Sequence, residues 1–137
     1  VISDGIHVHP AVVEMVIKAK GYDKVVLVTD SMHAAGLESG EYAFGGFRIY
    51  IRDGVAKQED GTIAGSIISL MDGVRNVVKY AGVSLEHAVV MASTNPARLL
   101  GLDDKIGSIE VGKRADLVVL DNNIQAQMVF CRGKQIK

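Results

Sequence analysis

Residues 24–31, Lys-Val-Val-Leu-Val-Thr-Asp-Ser, constrain the fold more than any other stretch of the chain. A short apolar run, mostly β-branched, stops abruptly at Thr29-Asp30-Ser31, which predicts a strand buried on both faces whose end carries a carboxylate. Doubly buried strands belong to parallel sheets, and parallel sheets keep their ligand sites at the carboxyl ends of the strands. The next residues, Met32-His33-Ala34-Ala35-Gly36, continue no periodic pattern, so the chain is expected to leave the strand in a loop beside Asp30.

What precedes this run sets its direction. Val1 to Val8 passes through Asp4-Gly5-Ile6-His7-Val8-His9-Pro10 as a strand end entering a loop, and Pro10 suits the first turn of a helix. Between Ala11 and Lys20, Val12, Val13, Val16 and Ile17 fall on one stripe at helical spacing, with Gly21 placed to close the helix. Strand, helix and strand in this order predict a βαβ unit with parallel strands. Val1-Ile2-Ser3 reads as the end of a strand already under way, so the sequence is expected to be a piece of a longer protein.

The segment from Gly40 to Gly61 is of another kind. Phe47 to Arg52 alternates, Asp53-Gly54 is a hairpin turn and Val55 to Gln58 can return antiparallel, so a β-hairpin insertion is expected over about 41–61. Ser66 is the expected N-cap of a helix whose apolar face, Ile67, Ile68, Met71, Val74, Val77 and Val78, runs to Ala81 with Gly82 closing it. A second helix is expected from the N-cap Ser84 through Ala92, and Asn95-Pro96 restarts a short helix ending near Gly101. Beyond Lys105, the runs Leu117 to Leu120 and Gln127 to Cys131, followed by an Arg132-Gly133 turn, predict a β-rich tail. Internal repeats, low-complexity stretches and linkers are not evident.

The totals exclude several classes of function. A chain of 137 residues that is 48% hydrophobic has enough apolar material for a packed core. With 15 basic and 16 acidic residues, a net charge of -1 favours neither a nucleic-acid backbone nor an anionic membrane as partner. The single Cys131 cannot form an internal disulfide or a cysteine-rich zinc site, and is read as a packing residue of a strand. Membrane helices require roughly 18 apolar residues in a row, and no run approaches that; a cytoplasmic setting is the expectation.

Several groups could carry chemistry. His7 and His9, two apart on a strand, would share a face and could grip one ion, but His33 and His87 offer no spacing that completes a ligand set. The competing reading is a substrate-facing His7 with an incidental His9, and His87 as a surface or packing residue. Asp30 is either a structural cap on its loop or a carboxylate that takes a proton from a nucleophilic water and returns it to a leaving group. Thr62 to Ser66 would place backbone amides at a helix start, able to hold an anionic or hydroxyl-rich ligand or serving only as a cap. Ser31 and Ser66 lack the setting of a nucleophile, and no G-x-G-x-x-G follows a strand, which speaks against nucleotide cofactors.

Taken together, Asp4-Gly5-Ile6-His7, Leu27-Val28-Thr29-Asp30-Ser31, Gly61-Thr62-Ile63-Ala64-Gly65-Ser66 and Ser93-Thr94-Asn95-Pro96-Ala97 resemble, in order and spacing, the N-acetylglucosamine-6-phosphate deacetylases of the amidohydrolase superfamily. The tail from Gly107 to Asp121 is similar to a segment found across that superfamily. The resemblance implies an α/β fold: the last strands and helices of a (β/α)₈ barrel of the TIM type over residues 1–104, with residues 105–137 as the C-terminal strands of a small β-sandwich. It implies that Asp30 is the proton-transferring aspartate and that Asp4, Gly5, Ile6 and His7, with Ile63, Ala64 and Gly65, contact substrate.

The reaction implied is hydrolysis of the N-acetyl group of N-acetylglucosamine 6-phosphate, giving glucosamine 6-phosphate and acetate. A divalent metal, zinc or similar, is implied in the complete enzyme, with ligands on earlier strands that this chain lacks. Because a barrel of this type needs roughly 250 residues, the chain alone is expected to be inactive, and to form a homo-oligomer or pair with the missing half. Two rival readings are a cyclic-amide hydrolase of the dihydroorotase type, to which His33 three residues after Asp30 gives some support, and a non-catalytic module binding a sugar phosphate.

Overall fold

The computed structural model describes residues 1–137, the side chain of Phe44 excepted. Helix α1 (Pro10–Lys20) begins where the sequence places it, with Pro10 in the first turn and Gly21, at φ 83, closing the last. His9 is its N-cap, accepting a hydrogen bond at Nδ1 from the Ala11 amide at 3.2 Å. A 3₁₀ turn over Tyr22–Lys24 then delivers the chain to the Asp30 run.

That run is extended but is not a full strand. Ile2 and Val28 form a parallel bridge, with the Val28 amide donating to the Val1 carbonyl at 3.1 Å, and Ser31 and Ser66 form a second parallel bridge. The expected burial on both faces holds for one face only: Val25 is 5% exposed and Leu27 3%, whereas Val28 is 47% exposed. Alternate residues point to opposite sides, so Val25 and Leu27 enter the helical core while Val28 faces an open side.

Three antiparallel strands follow: β1 (Gly40–Phe44), β2 (Phe47–Arg52) and β3 (Val55–Gln58), in the order β1-β2-β3. The expected hairpin is therefore the second half of a larger unit. Strand β1 pairs Gly40 with Ile51 and Ala43 with Arg48 across a Gly45-Gly46 turn. Gly45 and Gly46 at φ 55 and 86, like Asp53 and Gly54 at φ 50 and 75, supply the left-handed pair that tight hairpins need. Ile49, Ile51 and Ala56 of this sheet form a small core with Ala34, flanked by Met32, Ala64 and Ile67.

Helix α2 (Leu70–Ala81) starts later than expected. Its N-cap is Ser69, not Ser66: the Ser69 hydroxyl accepts from the Asp72 amide while the Asp72 carboxylate accepts from the Ser69 amide, a complete capping box. Gly82 closes it in the left-handed conformation, as expected. Helix α3 (Leu85–Val89), capped by Ser84, widens into a π turn over Val90–Thr94 and continues as α4 (Asn95–Leu99). In a regular helix the Pro96 ring would meet the Ala92 carbonyl, and the wider turn relieves that collision. Val13, Val77, Ala88 and Met91, each 0% exposed, form the main core with Val25 and Leu27, each large apolar side chain worth about 1.5–3 kcal/mol of burial.

The tail forms a second antiparallel sheet, β4 (Leu117–Leu120), β5 (Ala126–Cys131) and β6 (Lys134–Gln135). Cys131, at the end of β5, is exposed, not packed. Among the described residues, no helix is long and apolar enough to cross a membrane.

Candidate active site

Two bridges decide where the chemistry gathers. The Ile2–Val28 pair is parallel, so Asp4 and Asp30, each two residues further on, leave the bridge in the same direction on neighbouring extended segments. The Ser31–Ser66 pair brings Gly65 alongside Asp30 from the other side. Three stretches that sequence analysis singled out, Asp4–His7, Asp30 and Ile63–Gly65, therefore meet at one edge of the molecule.

Asp30 is exposed and adopts φ 49. The other non-glycine residues at positive φ, Asp53, Ile124 and Arg132, lie in tight turns of the two sheets, whereas Asp30 lies between the two isolated parallel bridges. Aspartate tolerates this left-handed conformation better than most residues, and such strain persists only where neighbours hold it. Here the neighbour is Ser66, which is 2% exposed. Its amide donates to the Asp30 carbonyl at 2.9 Å, its carbonyl accepts from the Met32 amide at 2.9 Å, and its hydroxyl donates to the Thr29 carbonyl. The Asp30 carboxylate itself makes no hydrogen bond or ion pair among the described residues, which leaves it open to a ligand or water.

The Ile63–Gly65 stretch does not begin a helix. The Ala64 amide donates to the Ala56 carbonyl at 3.0 Å, and Lys57 and Ile63 form an antiparallel bridge, so the stretch runs as an extra edge beside β3. The amides of Ala64 and Ser66 are thus consumed by the fold, and the anion-cradling helix start expected from sequence is absent. What reaches toward Asp30 is Gly65 itself, at φ 107: a Cβ there would stand 3.0 Å from the Asp30 carbonyl oxygen.

In the first loop, Asp4 Oδ1 accepts from the amides of Ile6 (3.0 Å) and His7 (2.9 Å), and Oδ2 lies 2.6 Å from His7 Nδ1. Burial alone would raise the Asp4 carboxyl pKa, but the hydrogen bonds from Ile6 and His7 outweigh it and hold the group below the usual aspartate range. The loop is seated on α2, where Asn76 Nδ2 donates to the Ser3 carbonyl at 2.8 Å and the Ser3 hydroxyl to the Gly73 carbonyl at 3.1 Å.

His9 Nδ1 caps α1 and His7 Nδ1 faces Asp4, so neither of these nitrogens is free for an ion, and among the described residues no group of three His, Cys, Asp or Glu is placed to hold one. His87 stacks on Tyr22, ring centroids 3.6 Å apart, in keeping with a packing role.

Two residues that sequence reasoning did not assign to the site support it. Ser66 clamps the turn at Asp30, and its signal in the sequence was masked by its likeness to an N-cap. Asn95 is 5% exposed and its Nδ2 donates at 2.7 Å to both the Tyr22 and Val25 carbonyls, anchoring the start of the Asp30 run. The Ser-Thr-Asn-Pro-Ala motif was visible, but its partners were not.

The model of the amidohydrolase family matches residues 1–136. The chain is 41% identical over 132 residues to an N-acetylglucosamine-6-phosphate deacetylase of Bacillus subtilis, covering 96% of this chain and 33% of the relative. It is 40% identical over 133 residues to a putative N-acetylgalactosamine-6-phosphate deacetylase of Escherichia coli K12, covering 97% of this chain and 79% of that relative. Among solved structures it resembles an N-acetyl-D-glucosamine-6-phosphate deacetylase of Mycobacterium smegmatis, an aspartate-to-alanine variant in complex with N-acetyl-D-glucosamine-6-phosphate. The TM-score is 0.89 at 37% identity, over 98% of this chain and 36% of that one. The chain thus spans about a third of the length of the Bacillus and Mycobacterium proteins. Since the family model covers all but the last residue, the chain belongs to the amidohydrolase family.

Proposed function

We propose that the intact protein containing this chain hydrolyses the N-acetyl group of an N-acetylhexosamine 6-phosphate, N-acetylglucosamine 6-phosphate foremost, and that this chain contributes the proton-transferring carboxylate and one wall of the substrate site. The observation that carries the reading is the pair of parallel bridges, Ile2–Val28 and Ser31–Ser66, which set Asp4–His7, Asp30 and Ile63–Gly65 side by side. Asp30 accepts a proton from the water that attacks the acetyl carbonyl carbon. As the carbon–nitrogen bond breaks, it returns that proton to the departing amine, leaving the amino-sugar phosphate and acetate. Its open carboxylate, free of ion pairs, suits both halves of that exchange. His7 and the Gly5–Ile6 and Ile63–Gly65 backbones line the sugar. The divalent ion that the family resemblance implies would need ligands from outside this chain.

In this reading, residues 1–104 are the closing part of a (β/α)₈ barrel and 105–137 are strands of a sandwich. The tail sheet supports the second assignment: Val118 is 48% exposed and Val119 40%, and neighbours along a strand face opposite sides, so β4 exposes an apolar side chain on each face. Further strands of an enzyme of the relatives' length would cover it.

The test is Asp30→Asn in the intact protein, assayed on the glucosamine and galactosamine substrates. The expected outcome is a fall in kcat of roughly 10²–10⁴-fold with little change in KM, as for loss of a general acid–base group. A variant with near-normal kcat on both sugars overturns the assignment of Asp30.

A further inference from the structure

The family resemblance groups Asp4 with the residues that touch substrate, but its surroundings leave it no means to do so. The Asp4 side chain is 2% exposed against 19% for His7. A carboxylate offers about four acceptor positions, and three are occupied, by the amides of Ile6 and His7 and by His7 Nδ1. What remains is enclosed by the loop. Gly5 adds to that closure: it sits at φ 78, and a Cβ there would approach the Tyr80 hydroxyl of α2 to 2.9 Å, so the loop lies flush on the helix.

The consequence falls on His7. A carboxylate oxygen 2.6 Å from Nδ1 requires a hydrogen on that nitrogen, because two lone pairs at that distance repel. A neutral His7 therefore keeps its lone pair on Nε2. Nε2 makes no hydrogen bond among the described residues, and it belongs to the more exposed partner of the pair. The ring's rotation is restricted by the same contact, and the contact is braced by α2 through Ser3 and Asn76.

We propose that Asp4 is a positioning residue: it selects the Nδ1–H tautomer of His7 and fixes the ring, so that Nε2 is presented at the strand ends as an acceptor for a hydroxyl or N–H donor of the bound sugar. The identity of that ligand rests on the deacetylase reading; the tautomer does not.

The experiment has two arms, both on the intact protein. The first is a long-range ¹H–¹⁵N spectrum of histidine-labelled protein at neutral pH, with His7→Gln identifying the His7 signals. The expected result is a pyrrole-type Nδ1 and a pyridine-type Nε2, shifting toward a mixture of tautomers in Asp4→Ala. A pyridine-type Nδ1 in the unmutated protein overturns the proposal without any variant having to fold. The second arm is a mutant cycle on KM for N-acetylglucosamine 6-phosphate. Asp4→Ala is expected to raise KM by roughly 10-fold or more, the scale on which outer-shell carboxylates act through the histidines they orient, with kcat reduced far less. Asp4→Ala combined with His7→Ala is expected to be no worse than His7→Ala alone, because Asp4 acts only through the ring. Additive losses would instead give Asp4 its own contact with substrate and overturn the role. If the unmutated intact protein does not turn over N-acetylhexosamine 6-phosphates while the His7 tautomer is as expected, the deacetylase reading fails and the positioning role stands.

Discussion

How firmly the turn at Asp30 is held can be measured by adding a single methyl group at Gly65. Two costs arise from Gly65→Ala. At φ 107 the backbone lies outside the regions an alanine favours, which costs about 1–3 kcal/mol. The new Cβ would also stand 3.0 Å from the Asp30 carbonyl oxygen and 3.4 Å from Met32 Cβ. The carbonyl cannot retreat freely, since it accepts the Ser66 amide at 2.9 Å and its residue is already in a left-handed conformation. Forcing an extra carbon into a packed position costs about 1–3 kcal/mol more. Gly61→Ala isolates the first cost, because Gly61 has a comparable φ of 87 and nothing within 4 Å of its Cβ position. The two variants should differ by about 2 kcal/mol, which for an m value near 2 kcal/mol/M displaces the urea midpoint by about 1 M. Activity gives the second readout: a shift of Asp30 on the order of 1 Å can cost about 10²-fold in rate, whereas Gly61→Ala should leave kcat near normal. Equal midpoints for the two variants, or a Gly65→Ala protein with full kcat, would show that Asp30 is not held from this side.

Further perturbations probe the supports of the site. Ser69→Ala removes half of the capping box of α2 and should cost about 1 kcal/mol in chemical unfolding; an unchanged midpoint would mean the helix start is held by packing alone. Asn95→Ala leaves the Tyr22 and Val25 carbonyls without their side-chain donor, and two lost hydrogen bonds at a buried position predict a loss of about 2–4 kcal/mol by the same assay. Burial opposes ionisation of Asp4 and Asp72, but hydrogen bonds, with the Arg75 guanidinium at Asp72, hold both carboxyls below their usual range. A depressed folded pKa means that the stabilisation is fully present above the unfolded aspartate value of about 3.9 and is lost as pH falls through the folded one. Melting temperature should therefore decline below about pH 4, and Asp72→Asn should flatten that decline; an unaltered acid limb would exclude Asp72 as a source.

The elements legible in the sequence are those whose cause is local. The stripe in α1 and the face of α2 repeat every three to four residues, and their ends are marked by Gly21 and Gly82, so periodicity and capping place both helices. Asp53-Gly54 and Arg132-Gly133 announce their hairpins by turn chemistry. The Gly45-Gly46 pair carried the same signal for β1, and the Ser69-x-x-Asp72 pattern carried that of a capping box, but the earlier Ser66 offered a competing start. His9 could not be foreseen as a cap, since histidine is not among the residues that favour that position.

Asp30 shows where local reasoning stops. Its residue type and its place after an apolar run are local facts, and they were enough to mark it as a group with chemical potential. Its left-handed turn is not local: it depends on Ser66, whose hydroxyl reaches back 37 residues to the Thr29 carbonyl, and on the absence of a side chain at Gly65. No periodicity in either segment encodes that meeting, because an isolated parallel bridge is decided by how α1, α2 and the three-stranded sheet pack around it. The same holds for Asp4, whose spacing from His7 is visible but whose loop is seated on α2 through Ser3 and Asn76. The sequence therefore reports which groups are available for catalysis, while their orientation is a property of tertiary contacts made by residues with no chemistry of their own. For that reason substitutions at Gly65, Ser66 and Asn95 should impair the site while leaving each of its reactive groups in place.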